Sequence, residues 1–496
     1  MRSPRRLLPL LLPPIALLAL VALLTGGPSR AFAEDGPPRP AGEPGMAGEP
    51  GMGDPGMGGD APAADDDDED SDVPLALSER VEKAVKKGVQ WLKQRQLPDG
   101  SWGLIEGNAA YGGGKIDNAY KHPAGSTALA LYTLLKCKEA VDDPIVKKGF
   151  KFLRDKHKQP GSAYEASMML LAVTAVADPF KKIKASEAQG DRVKFPSGDW
   201  RDWAQKLHDY LLAKRTRAKT LGWRYMEEGN AGIPPGGNED LSSTQLAVLA
   251  LLAAERCGIK TDSKVWNEII TYSMKQQDDD GPEWERAVYD KKKTDAKPTP
   301  GGEDKDKGRY APGATGKPEK DKARGFAYIK STTLDADEGQ ATGGMTACGV
   351  CNLMVARYVL MKREDKLWQN RDQNAVQKSI YDGCAWLDMN WTGYANPKKQ
   401  KKNVYHIYHM YCVERAFDLI GNNLIGKRPW YQEFADALCG RQSDKGYWNS
   451  DSTHKPEEVL DTCFALLVLK RSTKGGIPYG SITGGGDEPP ADNRGK

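Results

Sequence analysis

Two grades of helix alternate along most of the chain, and that alternation constrains the fold more than any other feature. Val81, Ala84, Val85, Val89, Trp91 and Leu92 recur at helical spacing and leave Lys83, Lys86 and Lys87 on the other side. Such a stripe buries one face only. The second grade starts at Ser126 and Thr127 with Ala128, Leu129, Ala130 and Leu131, and returns at 243–249 and 461–467. Ser and Thr at these starts suit an N-cap, Ala and Cys let helices approach closely, and Leu fills the space between. The pattern predicts amphipathic helices near 79–95, 143–156, 200–213, 262–276, 373–389 and 430–442. They alternate with apolar helices near 124–139, 162–176, 242–257, 343–361, 405–420 and 458–470.

Six such hairpins stack either in an open line or in a closed ring. A helix that is apolar over much of its circumference requires neighbours on most sides, which favours closure. We therefore expect an all-α fold, an α/α toroid of six helical hairpins with apolar helices inside and amphipathic helices outside, spanning 75–472. Strand-like pieces at 223–225 and 326–329 are too few for a major sheet. A long irregular insertion near 281–341, with Lys291, Lys292 and Lys293, separates the fourth pair and is a candidate lid or surface excursion. Residues 473–496 read as a flexible tail.

Turn motifs follow the amphipathic helices. Gln96-Leu97-Pro98-Asp99-Gly100-Ser101-Trp102 is echoed by Gln442-Ser443-Asp444-Lys445-Gly446-Tyr447-Trp448, and by Gln277 to Gly281 with Trp284. These units resemble the Gln-Trp repeats of the squalene and hopene cyclases and of the protein prenyltransferase β subunits. The resemblance implies that Gln96, Trp102, Gln442 and Trp448 are structural ties between outer and inner helices. Tyr408 to Arg415, followed by Trp430 and Tyr431, further resembles a group of exported bacterial cyclase-like proteins common in planctomycetes.

The N-terminus carries a different message. Arg2, Arg5 and Arg6 precede an apolar stretch from Leu7 to Leu24, and Ala31-Phe32-Ala33 offers a small-apolar-small cleavage pattern. We expect residues 1–33 to be a signal peptide and the protein to be exported, periplasmic or at the cell envelope, with an uncleaved membrane anchor as the alternative. Residues 34–74 are Gly, Pro, Met and acid, with 13 acidic residues against one arginine, and read as a disordered tether. The remainder holds 66 basic and 55 acidic residues, so Lys398, Lys399, Lys401 and Lys402 are a candidate contact for an anionic surface. A whole-chain charge of +3 without groove-reading motifs argues against nucleic acid.

Several chemistries can be weighed on the residues. A cyclase of the type resembled uses an Asp-rich motif at an inner-helix start as proton donor; Asp335 and Asp337, and Asp461 followed by Thr462, are the nearest pieces and do not reproduce it. Zinc in the prenyltransferase manner would need Asp, Cys and His; His454, Asp461 and Cys463 are the least unsuitable set, with His406 and His409 as other histidines. Trp386, Tyr405, Tyr408 and Tyr411 are candidates to line a cation-stabilising cavity, although core packing is the commoner use of such residues. Cys348-Gly349-Val350-Cys351 is a formal redox motif that falls inside an apolar helix, where cysteines also serve as small packing residues. No Gly-X-Ser-X-Gly elbow, Walker loop or His-Glu-X-X-His pattern is present. The residues call for no cofactor. They point first to binding or scaffolding for a protein partner or apolar ligand, with a terpenoid-cyclase-like enzyme acting on an isoprenoid as the alternative.

Overall fold

The computed structural model describes residues 75–102, 123–178, 193–218, 221–224, 239–288, 319–330, 339–398, 405–450 and 458–472. All lie in one compact unit, Asp68–Lys496. The signal segment, the tether, the tail, Asp335, Asp337, His454, Lys399, Lys401 and Lys402 fall outside the described residues.

Thirteen helices appear among them. In chain order they are α1 (Leu75–Gln94), α2 (Pro123–Lys136), α3 (Pro144–Lys156), α4 (Ala163–Ala175), α5 (Gly198–Ala218), α6 (Leu241–Arg256) and α7 (Ser263–Lys275). A two-stranded antiparallel ribbon follows, β1 (Glu283–Glu285) with β2 (Lys320–Lys322), pairing Trp284 with Asp321. Then come α8 (Gly343–Lys362), the short α9 (Lys366–Gln369), α10 (Gln373–Met389), α11 (His406–Ile420), α12 (Trp430–Arg441) and α13 (Glu458–Leu469).

The packing order is circular. Helix α2 packs on α4, α4 on α6, α6 on α8, α8 on α11, α11 on α13, and α13 returns to α2. Six inner helices therefore close on themselves. Outside them, α3 lies on α2, α5 on α4 and α6, α7 and α10 on α8, and α12 on α13, while α1 meets both α12 and α13. The fold is an α/α toroid of six hairpins.

The two grades of helix explain the layers. Apart from half-buried Tyr164, every residue of α4 from Ala163 to Ala175 is buried, whereas α3 buries only Val146, Gly149, Phe150, Phe152 and Leu153. Helix α8 is long and apolar enough to cross a membrane, but its residues are buried as a wall of the ring. Aspartates and a serine start the helices cleanly: Asp143, Asp240, Asp262 and Asp372 each accept from a first-turn amide, and Ser162 accepts from Glu165 N.

The turns repeat one set of hydrogen bonds. Trp102 donates Nε1 to the Leu92 carbonyl at 2.7 Å and its backbone N to Thr127 Oγ1 at 3.0 Å, tying an outer helix to the next inner one. Trp448 does the same with Leu438 (2.8 Å) and Thr462 (3.1 Å), and Trp223 with Leu211 (2.9 Å) and Thr244 (3.0 Å). Gln96 Nε2 donates to Gly100 O and to Ile145 O of the next outer helix. Gln442 Nε2 donates to Gly446 O and to Ala84 O of α1, so the last turn grips the first helix. Gly100 and Gly446 both have positive φ (97° and 103°), and a Cβ there would lie 2.5 and 2.6 Å from the carbonyls of Lys148 and Lys87. Only glycine lets the turn sit so close to its neighbour.

The third turn corrects the sequence reading. Gln277 Nε2 donates to Arg324 O and Ser379 O, but Trp284 lies on β1, 37% exposed, with Nε1 on Asp388. Phe326 takes the tryptophan's place instead, its N donating to Thr346 Oγ1 at 3.1 Å. The insertion separates the glutamine from its aromatic by 49 positions of chain, and local spacing cannot reveal that partner. Asp382, fully buried on α10, anchors the insertion by accepting from Lys322 N and Arg324 Nε.

Candidate functional site

The inner helices run in the same sense, so their first turns gather at one face. Five of the six connections that precede them, 95–122, 219–240, 276–342, 390–405 and 442–457, are long, the exception being 157–162 before α4; of those that follow the inner helices only 176–197 is comparable. Irregular loops over a rigid ring are where binding groups collect.

Below that face, polar side chains meet in the middle of the ring. Ser242 of α6 and Tyr408 of α11 share a hydrogen bond of 2.7 Å between helices that are not ring neighbours. Phe464 of α13 lies against Tyr408 and Tyr411, at centroid separations of 5.3 and 4.9 Å. Deeper in α11, Arg415 is fully buried, with its guanidinium carbon 3.6 Å from the Tyr411 ring centroid. Its Nη2 donates to Cys412 Sγ at 3.6 Å and its Nε to Tyr411 O at 3.3 Å. Among the described residues, Arg415 Nη1 and the Tyr411 hydroxyl have no hydrogen-bond partner. Cys348 of α8 donates Sγ to Cys412 Sγ at 3.5 Å.

The electrostatics follow from burial. Burial alone would push the Cys412 thiol up, yet the hydrogen bond from Cys348 and the Arg415 charge outweigh it and hold this thiol below its ordinary value. Burial dominates at Cys351, pushed up to about 12. Arg415 stays charged: burial works against the cation, but Tyr411 and Cys412 more than offset it.

Asp461 stands in the first turn of α13, only 7% exposed, and its Oδ2 accepts from Ser450 N at 2.6 Å. Burial raises this carboxyl to about 6, against the lowering effect of the Ser450 bonds. It is therefore protonated in part near neutral pH. Burial likewise depresses His406 to about 4, helped by Arg441, and His409 to about 3, helped by His406, so both rings are neutral. His406 Nδ1 sits 3.0 Å from Arg441 Nη1.

The remaining site candidates divide. Tyr408 and Tyr411 reach the ring core. Trp386 belongs to the outer helix α10 and packs over Gly325, where an added Cβ would lie 2.8 Å from its ring. Tyr405 sits in a left-handed conformation before α11 and is 48% exposed. Neither joins the core aromatics, because an outer-helix position and a pre-helix turn both face away from the axis. Cys463 and Asp461 diverge as well: the Cys463 thiol neighbours Thr133 and Cys137, while the Asp461 carboxyl meets Ser450. Positions two apart on a helix do not face each other. Among the described residues, no group of three His, Cys, Asp or Glu side chains is arranged to hold a metal.

Sequence reasoning did not single out Arg415. Its signal was the set Glu414, Arg415 and Asp418 inside the otherwise apolar stretch from Met410 to Ile420, where charges must be bonded or functional.

Residues 75–171, from α1 into α4, match the squalene-hopene cyclase C-terminal domain family. That stretch is cyclase-like in sequence. No curated protein matches the chain significantly. Among solved structures, the type II terpene cyclase MstE from Scytonema, in complex with merosterolic acid A, shares 11% identity. The match covers 81% of this chain and 99% of that one at a TM-score of 0.43. The GH76A α-1,6-mannanase of Salegentibacter sp. HEL1_6, in complex with α-1,6-mannotetrose, shares 10% identity over 80% of this chain and 98% of that one, at a TM-score of 0.45. At these values the likeness is one of helical arrangement, and no chemistry is taken from it.

Proposed function

We propose that the protein is a terpenoid-cyclase-like enzyme that takes an apolar, isoprenoid-class substrate at the face where the inner helices begin, with Asp461 as the proton donor. The observation that carries this reading is a buried carboxyl at an inner-helix start, held up to about 6 by desolvation, so that a protonated acid is available near neutral pH. The cyclase-like stretch at 75–171 supports the same class. Tyr408 and Phe464 supply aromatic faces suited to a developing cation, whereas the Tyr411 ring is already covered by Arg415. Arg415 limits where such a cation forms. A guanidinium in the core repels it, so chemistry belongs above Tyr408, toward the loops.

A second reading has its own observation. The Ser242–Tyr408 bridge and the buried Arg415 occupy the middle of the ring, as expected of a protein that binds a partner or apolar ligand at its rim without turning it over. Export with loss of residues 1–33, kinship with the planctomycete-type group and Gln-Trp-repeat character of the turns belong to the same proposal.

Incubating the purified protein with squalene and shorter polyprenyl substrates, followed by gas chromatography and mass spectrometry, separates the two. Cyclised product from the native chain, lost in Asp461→Asn with helicity unchanged, supports the enzyme. No product, together with a retained lipid in an organic extract, selects the binding protein.

A further inference from the structure

The core thiols point to chemistry that neither reading uses. Cys348, Cys351 and Cys412 are all fully buried, and their chain spacing favours pairing the first two. The helix forbids it. Residues three apart on one helix hold their Cβ atoms about 5–6 Å apart, whereas a disulfide draws them to about 3.8 Å. Cys348 instead touches Cys412 on the adjacent inner helix, sulfur to sulfur at 3.5 Å. Over that pair stands a buried arginine with Nη2 3.6 Å from Cys412 Sγ, and no described carboxylate pairs with it. A buried cation without a carboxylate calls for another source of negative charge, and the Cys412 sulfur already accepts from its Nη2.

We propose that Cys348 and Cys412 are a redox-active pair that closes into a disulfide between α8 and α11, with Cys412 attacking as the thiolate beside Arg415 and a small hydroperoxide as oxidant. In the first step the Cys412 thiolate attacks one oxygen of hydrogen peroxide. The S–O bond forms, the O–O bond breaks, and the departing hydroxide takes the proton that Cys412 had released. In the second step Cys348, losing its proton, attacks the Cys412 sulfenic sulfur, and the hydroxyl leaves as water with that proton. Two thiols surrender two electrons and the peroxide becomes two waters. Cys351, pushed up to about 12 and in no sulfur–sulfur hydrogen bond among the described residues, stays a thiol.

This inference is independent of the proposed reaction. The test uses the full chain, reduced, freed of reductant and exposed to hydrogen peroxide. The expected result is loss of two of the eight titratable thiols and a Cys348–Cys412 peptide by mass spectrometry. Cys351→Ser retains the link, while Cys348→Ser and Cys412→Ser abolish it. Arg415→Gln slows oxidation by about threefold for each unit by which the thiol's pKa rises, the tenfold fall in thiolate being partly offset by its greater nucleophilicity. A Cys348–Cys351 link, eight surviving thiols, or an unchanged rate in Arg415→Gln overturns the proposal. Should Arg415→Gln fail to fold, iodoacetamide labelling of the native chain decides the nucleophile: behind the partly exposed Cys137 and Cys439, Cys412 is expected to label before Cys348, and the reverse order is the contrary result.

Discussion

At the turns, Trp102, Trp223 and Trp448 repeat one arrangement around the ring; in the core, Arg415, Tyr411 and the Cys348–Cys412 contact occur once. The turns tie each outer helix to an inner one through bonds that any hairpin can make, and so the same residues recur. The core belongs to all six inner helices together, and each contributes a different side chain. Repetition in this molecule marks what holds the ring. Its absence marks where chemistry can be sought.

Substitutions test this difference between turns and core. Trp448→Ala should cost about 3–5 kcal/mol in urea unfolding, because a fully buried indole and its hydrogen bond are lost together. Trp284→Ala, partly exposed on the ribbon, should cost far less; equal losses would erase the distinction between stapling and peripheral tryptophans.

Asp461 gives the next largest effect, with a definite sign. Its folded value of about 6 lies above its ordinary value of 3.8, so its contribution is full below 3.8 and is lost as pH rises through 6. The change is about 3 kcal/mol across that window. Asp461→Asn should flatten this fall and be relatively more stable at pH 8, measured by urea melts across pH. His406 and His409 act oppositely, since depressed histidines withdraw stability as pH falls below 6.5 toward 4 and 3. A double substitution of both by Phe should remove this opposing slope and steepen the fall that Asp461 causes.

Gln442→Ala and Gln96→Ala should each cost about 2 kcal/mol, two hydrogen bonds apiece. Equal values would mean that closing the ring is energetically one more turn; a larger loss at Gln442 would give closure a cost of its own. Arg415→Met should be close to neutral or raise the thermal midpoint, since an apolar residue of similar length removes a desolvated charge. A loss as large as that of Trp448→Ala would make the arginine a structural part of the core. Smallest of all, Arg80→Ala breaks only the exposed pair with Asp436 and should leave the midpoint unchanged.

The alternation of helix grades was legible from residue spacing, and the six pairs fall close to their expected limits. Trp284 was misread because an insertion moved the aromatic partner to Phe326, beyond any local period. Trp386 and Tyr405 were grouped with Tyr408 and Tyr411 by composition, but helix face and layer separate them. Cys348 and Cys351 looked like a pair because they are close in sequence, while the contact that exists joins residues 64 apart in the chain.

Residue order alone dictates which helices are wet on one side and which are dry all round, and therefore the ring, because burial pattern is a property of local order. Only the tertiary structure decided that Gln442 grips Ala84, that Ser242 reaches Tyr408, and that Cys412 lies between Cys348 and Arg415. Those contacts depend on which helix faces which across the axis, and closure of the chain sets that, not spacing along it.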